Sequence, residues 1–363
     1  MAKAPVIEES KHFGGKVTIR FYPNAHYYTV DDPDYIDHVT GEKIPLVKKR
    51  IGGATSITGV MNKGQGLMMW PMWEMSKYLK AYFESTTIKE FVDNPETIED
   101  LLKAARDAHV KKSDRGKSVG TDAHAWVQEY LERVQASQED PKKKFVAPEV
   151  PEVEDIAKTL RRSYLAIFNE LKPKSLDDYR ELPKLIFRDI EIQEAIWTEA
   201  TMIQKATQAA KEWFELHDII VHGVEQTIYS RRLLTSGRYD ADITVTCTKK
   251  CGHCYRNGDE SKPAKDYTGR YVTDFKSTNA SRDNPKGIYS EYLAQCGVYD
   301  HGSTEEFPDR EYHGHLILNG SKNEGTFATH FSFERQRNRD WAEACARVKE
   351  HMFAGAKEIK ESK

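Results

Sequence analysis

The sequence predicts an α/β or α+β protein in which helices come first and a small sheet with one embedded helix follows. Three observations support this order. Apolar residues keep helical spacing in segments between about residues 68 and 213. From Asp218 onward, short runs rich in β-branched and aromatic residues replace that spacing. One helical pattern, from about residue 285 to 299, interrupts these runs and places a helix inside the sheet region.

The composition describes a polar chain with room for one large domain or two modest ones. It has 363 residues, 31% of them charged, and a mean hydropathy of -0.70. No run of eighteen apolar residues is present, so we expect no membrane span and no membrane partner. The first residues lack an apolar core, so we expect no secretory signal. Five cysteines do not form a secreted disulfide pattern, which predicts a reducing, cytosol-like compartment.

The N-terminal part predicts a small hairpin and then an aromatic helix. Residues 16–30 alternate as two strands and turn at Pro23. A helix is predicted from about Met68 to Phe83. Its tryptophans, Trp70 and Trp73, suit a core, which we favour, or stacking on nucleic-acid bases.

Four further helices and a linker are predicted before the sheet. The helices cover about residues 88–110, 121–134, 156–171 and 192–213. A basic loop, KKSDRGK, separates the first two, and His124 lies at the edge of the apolar stripe of the second. Residues 137–154, with three prolines and many charges, predict a linker or long loop.

The predicted strands share β-branched or aromatic residues bounded by turn-forming ones. They are residues 219–230, 238–247, 271–276, 312–319 and 325–333, and a helix from about Arg339 to Lys357 closes the chain.

The segment YVTDFKST carries the first chemical signal. Side chains alternate along a strand, so Asp274 and Lys276 should lie on one side, roughly 7 Å apart along the chain. A carboxylate beside an ammonium suits phosphodiester hydrolysis, because the carboxylate can bind a divalent metal ion and the lysine can stabilise negative charge. The alternative is an ordinary surface ion pair.

A second strand adds carboxylates. In GRYDADITV, Tyr239 and Ile243 belong to an apolar side, so Asp240 and Asp242 share the other side. Aspartates in a strand that otherwise belongs to the core must be solvated, paired or bound to a cation. Glu225 lies in the preceding strand.

These segments resemble, in order, the motifs of RecB-type nucleases of the PD-(D/E)XK superfamily. The matching residues are Gly120 and His124, then Glu225, then Gly237 and Asp240, then Asp274 and Lys276, then Gln295 and Tyr299. The resemblance covers roughly residues 118–300, and the segments HYYTV, ATSITGVM and MMW also resemble phage and mitochondrial exonucleases of this group.

The resemblance implies a PD-(D/E)XK restriction-endonuclease-like core, with a small mixed central sheet flanked by helices. Residues 1–117 would form an N-terminal hairpin and helical region packed on the core. Residues 118–363 would form the RecB-like nuclease core, with a cysteine-containing hairpin insertion at 247–269.

The resemblance also implies a role for each site residue. His124, Asp240, Asp274 and the backbone carbonyl of Phe275 would bind Mg²⁺ or Mn²⁺. Lys276 would orient or activate the attacking water. Glu225 would support the metal site. Gln295 and Tyr299 would shape the site and contact the DNA backbone.

The expected function is that of a Mg²⁺-dependent deoxyribonuclease of phage type, an exonuclease acting on single strands or duplex ends in DNA replication, recombination or repair. A structure-specific or nicking endonuclease on the same core is the alternative enzyme, and a nuclease-inactive DNA-binding or assembly module is the alternative from another class. DNA is the expected partner, with replication or recombination proteins as further candidates. The expected location is the cytoplasm, of the host cell if the protein is phage-encoded.

The net charge of -3 requires any DNA contact to come from local basic groups. Each of these groups suits either a DNA contact or a solvated face. They are Lys111, Lys112, Arg115 and Lys117, then Arg231, Arg232 and Arg238, then Arg335, Arg337 and Arg339.

One feature departs from the family pattern. Asp240 and Asp274 lie 34 positions apart, whereas family members usually join these strands by a tight hairpin. The intervening residues include four candidate ligands for a structural Zn²⁺, namely Cys247, Cys251, His253 and Cys254. Reduced thiols in a mobile hairpin are the alternative. Cys296 and Cys345 are predicted to lie in the core.

Overall fold

A computed structural model describes residues 7–23, 27–61, 65–85, 96–140, 142–170, 182–248, 267–280 and 289–361. Over these residues the chain is a mixed α/β structure, as predicted. It divides into two compact units. The first comprises residues 1–61, 124–150 and 205–363, and the second comprises residues 62–123 and 151–204. The units interleave in sequence, whereas the predicted division at residue 117 is a single boundary. None of the described helices is long and apolar enough to cross a membrane.

The described strands belong to one sheet. They are β1 (Glu8–His12), β2 (Val17–Tyr22), β3 (Tyr27–Asp32), β4 (Leu46–Gly53), β5 (His217–Ser230), β6 (Thr235–Cys247), β7 (Gly269–Lys276), β8 (Gly314–Gly320) and β9 (Phe327–Ser332). The described helices are α1 (Ala54–Thr58), α2 (Gln65–Ser85), α3 (Glu96–Glu139), α4 (Val153–Glu170), α5 (Leu182–Glu215), α6 (Ser290–Glu306) and α7 (Arg335–Glu361).

The sheet is mixed, in agreement with the predicted fold class. Strands β1 to β4 pair in sequence order and antiparallel. The end of β4 joins the start of β6 in parallel, through the pairs Gly52 with Thr235 and Gly53 with Ser236. Strands β5, β6 and β7 are antiparallel, β8 follows β7 in parallel, and β9 closes the order. Helix α6 makes the parallel crossover from β7 to β8.

The predicted N-terminal hairpin is confirmed as β2 and β3, and the two flanking strands were not predicted. One side of this hairpin buries Val17, Ile19 and Val30, which pack with Ile51 of β4. Strand β4 escaped prediction because Val47 and the three cations that follow it are exposed, so apolar and polar residues do not alternate cleanly along it.

The predicted loop at residues 111–117 is wrong, because helix α3 runs without a break from Glu96 to Glu139. Lysine and arginine are good helix formers, and the serine, aspartate and glycine residues among them reduce helix stability without ending a long helix. The two helices predicted at 88–110 and 121–134 are therefore parts of one element.

In the second unit, α4 and α5 carry the predicted apolar stripes. Ile156, Leu160, Ile196 and Ile203 pack together with Val119 in a buried cluster. The core assignment of Trp73 on α2 is wrong, because its side chain is 52% exposed. The side chain of Trp70 lies outside the described residues.

In the first unit, α6 packs on the sheet and carries one wall of the site described below. Tyr299 and Val298 of this helix belong to a buried cluster with Tyr239 of β6 and Val272 of β7. The core prediction for Cys296 and Cys345 is confirmed, since both are buried free thiols.

Candidate metal centre

Three of the predicted site residues meet at one point in the first unit. One ligand atom each from His124, Glu225 and Asp240 lies within 4.8 Å of the others. His124 Nε2 is 3.0 Å from Asp240 Oδ1 and 3.3 Å from Glu225 Oε1. A single ring nitrogen therefore faces two carboxylates. Below we call His124, Glu225 and Asp240 the trio.

Local structure fixes each member of the trio. His124 follows Ala123, a fully buried residue of the α3 apolar stripe, and so lies at the edge of that stripe as predicted. Asp240 Oδ2 accepts a hydrogen bond from the backbone N–H of Phe275 on the neighbouring strand. Glu225 has a φ of 50° within β5, a backbone conformation that non-glycine residues rarely adopt. Strained backbone of this kind recurs at functional sites.

Gly237 allows the wall of the site to approach β6. A Cβ atom added at Gly237 would lie 2.8 Å from the Tyr299 ring and 2.9 Å from Ala54 Cβ. Both distances are shorter than any ordinary contact between side chains. Close packing therefore explains why position 237, three residues before Asp240, is a glycine in this chain.

The second predicted pair lies next to the trio. Lys276 Nζ is 2.5 Å from Asp274 Oδ2, so the two side chains do share one side of β7. Strand β7, which carries Asp274, pairs antiparallel with β6, which carries Asp240, and Thr273 lies opposite Ala241. The surface ion pair considered above does not describe this arrangement, because the Asp274 side chain is 1% exposed. Its carboxylate is turned to Lys276 and is not a member of the trio.

Protonation in the metal-free protein reflects crowded carboxylates. Burial lowers the pKa of His124, but hydrogen bonding and charge from Asp240, with the charges of Glu225 and Asp274, outweigh it and raise this pKa to about 9. Burial and then the charge of Asp240 raise the pKa of Glu225 to about 7. Burial raises the pKa of Asp274 above its ordinary value, opposed by Lys276. The site therefore holds protons that a cation would displace.

One buried carboxylate oxygen of the trio has the environment of a metal ligand. Glu225 Oε1 makes no hydrogen bond within the described part of the chain, although His124 is near it. Asp274 Oδ2 differs, because the Lys276 ammonium lies 2.5 Å away and balances its charge. A buried carboxylate oxygen without a hydrogen bond is costly unless a cation binds it. Carboxylates with one imidazole suit Mg²⁺ or Mn²⁺.

Helix α6 contributes the predicted residues and one that was missed. Gln295 Nε2 donates to Tyr299 Oη, and both side chains are buried. Tyr292, three positions before Gln295, lies with its ring 5.1 Å from Lys276 Nζ. Helical spacing from Gln295 would have indicated Tyr292 as a wall residue.

At Phe275 the structure shows the amide N–H bound to Asp240. The metal-ligating role of its carbonyl stays a prediction. Asp242, which shares the side of β6 with Asp240, instead accepts hydrogen bonds from Arg270 Nε at 2.7 Å and Nη2 at 2.6 Å, and from Tyr312 Oη at 3.0 Å. Asp242 therefore forms a structural ion pair with Arg270 and is not part of the trio.

The predicted basic groups are mostly engaged with carboxylates. Arg231 binds Asp32, Arg232 binds Glu343, Arg238 binds Glu8, Arg335 binds Asp300 and Arg337 binds Glu334. The side chains of Lys111, Lys112, Arg115 and Lys117 lie outside the described residues. So do Cys251, His253 and Cys254, while Cys247 ends β6. The zinc assignment stays a prediction.

Comparison of the chain with protein-family models and with curated protein sequences gives no match. The residues of the chain and their geometry are therefore the basis for inferring its function.

Proposed function

We propose that this protein is a metal-dependent deoxyribonuclease with a PD-(D/E)XK core of the RecB-like type. The observation that carries the proposal is the meeting of His124, Glu225 and Asp240 within 4.8 Å, beside the buried Asp274–Lys276 pair. The three residues that meet at this point are up to 116 positions apart in the sequence, from His124 to Asp240. The order of elements, with three antiparallel strands, a helix and a parallel strand, supports the predicted mixed sheet, which with nine described strands is larger than predicted.

The trio would hold Mg²⁺ or Mn²⁺, with Asp274 as a further carboxylate beside it. A bound divalent ion would activate a water molecule and neutralise charge at phosphorus. Residues around the trio would hold the ligands in place for this ion. Asp240 accepts a hydrogen bond from the Phe275 amide. The buried side chains of Gln295 and Tyr299, which hydrogen-bond to each other, would form one side of the site.

Lys276 supplies a positive charge next to the trio. It is contacted by Asp274 and by the Tyr292 ring, and Asp274 raises its pKa although burial alone would lower it. The amine therefore stays protonated at neutral pH. A fixed ammonium in this position stabilises negative charge that develops during phosphodiester cleavage. The predicted role as charge stabiliser is favoured over that of a general base.

Cleavage of uniformly labelled DNA tests the proposal. Linear and closed-circular substrates, single- and double-stranded, are incubated with Mg²⁺, Mn²⁺ or chelator. We expect metal-dependent loss of linear DNA only, the exonuclease pattern. Cutting of circles would identify an endonuclease instead.

Asp240→Asn should reduce the rate by roughly two orders of magnitude or more, because it removes charge from the trio. Asp218→Asn is the matched control, since Asp218 is an exposed aspartate on the neighbouring strand β5. Full activity of Asp240→Asn, or no cleavage by the wild-type protein under any condition, would contradict the proposal.

A further inference from the structure

Arg238 lies beside the trio without belonging to it. It precedes Asp240 by two residues on β6, and so shares its side of the sheet. Its Nε is 4.0 Å from Glu225 Oε2, beyond hydrogen-bonding distance. That nitrogen is buried and makes no hydrogen bond within the described part of the chain. One donor of this guanidinium is therefore held next to the site without an acceptor.

The rest of the guanidinium is held by the N-terminal edge strand. Arg238 Nη2 donates to Glu8 Oε2 of β1, and the Phe21 ring lies 5.8 Å from the guanidinium carbon. The Arg238 side chain is 32% exposed and that of Glu8 is 44% exposed. An ion pair this exposed contributes little free energy and can be exchanged for a better partner.

We propose that Arg238 binds a phosphate of the DNA backbone at the metal centre, and that Glu8 competes with that phosphate for the guanidinium. A planar guanidinium binds phosphate through two parallel N–H donors, and the unpartnered Nε belongs to such an edge. A cation shared by the trio would weaken the attraction of Glu225 for Arg238. The inference names a substrate-binding residue of the proposed nuclease and so rests on the proposed function.

The same sheet provides a matched pair of residues for the test. Glu9 follows Glu8 on β1 and, by alternation, lies on the opposite side. It binds Arg20, whose Nε is 2.9 Å from Glu9 Oε2. Arg20 also contacts Asp31 at 2.5 Å. Substitutions in the pair of Glu9 and Arg20 therefore change the same kinds of charge within the same sheet. Glu9 shares β1 with Glu8, while Arg20 lies on β2.

The experiment measures the affinity of a short single-stranded oligodeoxynucleotide as a function of salt, with Ca²⁺ in place of the catalytic metal. Arg238→Ala should weaken binding roughly tenfold and lower the salt slope by about one unit, because one phosphate contact is lost. Glu8→Gln should tighten binding by roughly threefold, since the competing carboxylate is neutralised. Arg20→Ala and Glu9→Gln should change neither quantity.

Double substitutions show whether Glu8 competes with a DNA phosphate for Arg238 or simply repels the DNA by its charge. If Glu8 acts only through Arg238, then Glu8→Gln should have no effect in the Arg238→Ala background. Arg238→Lys should keep the salt slope but recover only part of the affinity, because lysine retains the charge and lacks the two-donor edge. Mn²⁺ affinity and the unfolding temperature, measured for each variant, identify any variant that merely disturbs the site.

The outcomes distinguish this inference from the proposed function. Wild-type binding of Mn²⁺ and DNA together with wild-type affinity in Arg238→Ala, or an equal loss in Arg20→Ala, overturns the inference and leaves the nuclease proposal standing. An effect of Glu8→Gln that persists without Arg238 also overturns it. A wild-type protein that binds neither Mn²⁺ nor DNA overturns the proposed function.

Discussion

The burial of Asp274 changes the meaning of a residue pair that is ambiguous in the sequence. A lysine two residues after an aspartate is common on exposed strands, where such a pair contributes little. Here the Asp274 side chain is 1% exposed and Lys276 is 22% exposed. Removing one partner of such a pair would leave the buried Asp274 charge uncompensated, so the two side chains depend on each other in a way that an exposed pair does not.

The protonation of the trio gives a pH-dependent prediction for metal binding. In the metal-free protein the pKa of His124 is raised to about 9 and that of Glu225 to about 7. A metal ion must displace these protons, so affinity should rise with pH. We expect roughly a tenfold gain per pH unit between pH 7 and 9, where one proton is displaced, and a steeper gain below pH 7, where two are displaced.

Calorimetric titration with Mn²⁺ in buffers of different ionisation enthalpy measures both the affinity and the protons released. His124→Gln should weaken the dependence between pH 7 and 9, because the proton of His124 is lost while Glu225, whose pKa His124 lowers, still titrates. Asp218→Asn should leave the dependence unchanged. Equal wild-type affinity at pH 6 and pH 8 would contradict this arrangement of titrating ligands.

The types and spacing of the site residues were predictable from the sequence, but their contacts were not. Motif spacing placed His124 on a helix and Asp240 and Asp274 on strands, as observed. The same spacing could not show that Glu225 approaches His124 more directly than Asp274 does. That outcome depends on the φ of 50° at Glu225 and on the pairing of Asp274 with Lys276, which are tertiary properties.

Local sequence patterns predicted some secondary-structure elements correctly and others wrongly. The strands β5 to β9 were predicted because buried apolar residues define them, as in the fully buried β8. Helix α3 was divided in error because a run of charges was treated as a loop. Charge affects solvation far more than backbone conformation, so it is a poor marker of helix ends.

The close approach of α6 to β6 gives a stability prediction for Gly237. Gly237→Ala should lower the free energy of unfolding by about 1–3 kcal/mol, because a methyl group would overlap the Tyr299 ring and Ala54. Gly52→Ala is the matched control. A Cβ there meets only Ile57 Cγ1, at 3.6 Å. Urea titration of both variants measures the difference, and equal stability would show that α6 does not pack tightly on β6 in solution.

Across the whole molecule, the site is assembled from distant segments of the chain. The first unit joins residues 1–61, 124–150 and 205–363. His124 comes from the second of these segments, and Glu225 and Asp240 come from the third. Glu8 of the first segment binds Arg238, whose Nε lies 4.0 Å from Glu225. No single segment contains the site. The trio forms only when the segments of this unit fold together. A metal ion that binds the trio should therefore raise the unfolding free energy of the unit.

The last prediction uses that coupling. The folded-state pKa of Glu225, about 7, lies above its ordinary value of 4.5, so its contribution to stability is fully present below pH 4.5 and is lost as the pH rises through 7. Glu225→Gln removes this loss and should raise the unfolding free energy of the metal-free protein at pH 8, by about 1–2 kcal/mol after allowance for partial exposure. Glu129→Gln, an exposed change on α3, should have no such effect. Added Mn²⁺ should reverse the order, because it stabilises the wild type by binding the trio and stabilises Glu225→Gln much less. Denaturant unfolding with chelator and with Mn²⁺ measures both effects. A wild type that is more stable than Glu225→Gln in chelator at pH 8 would contradict the charge balance described for the trio.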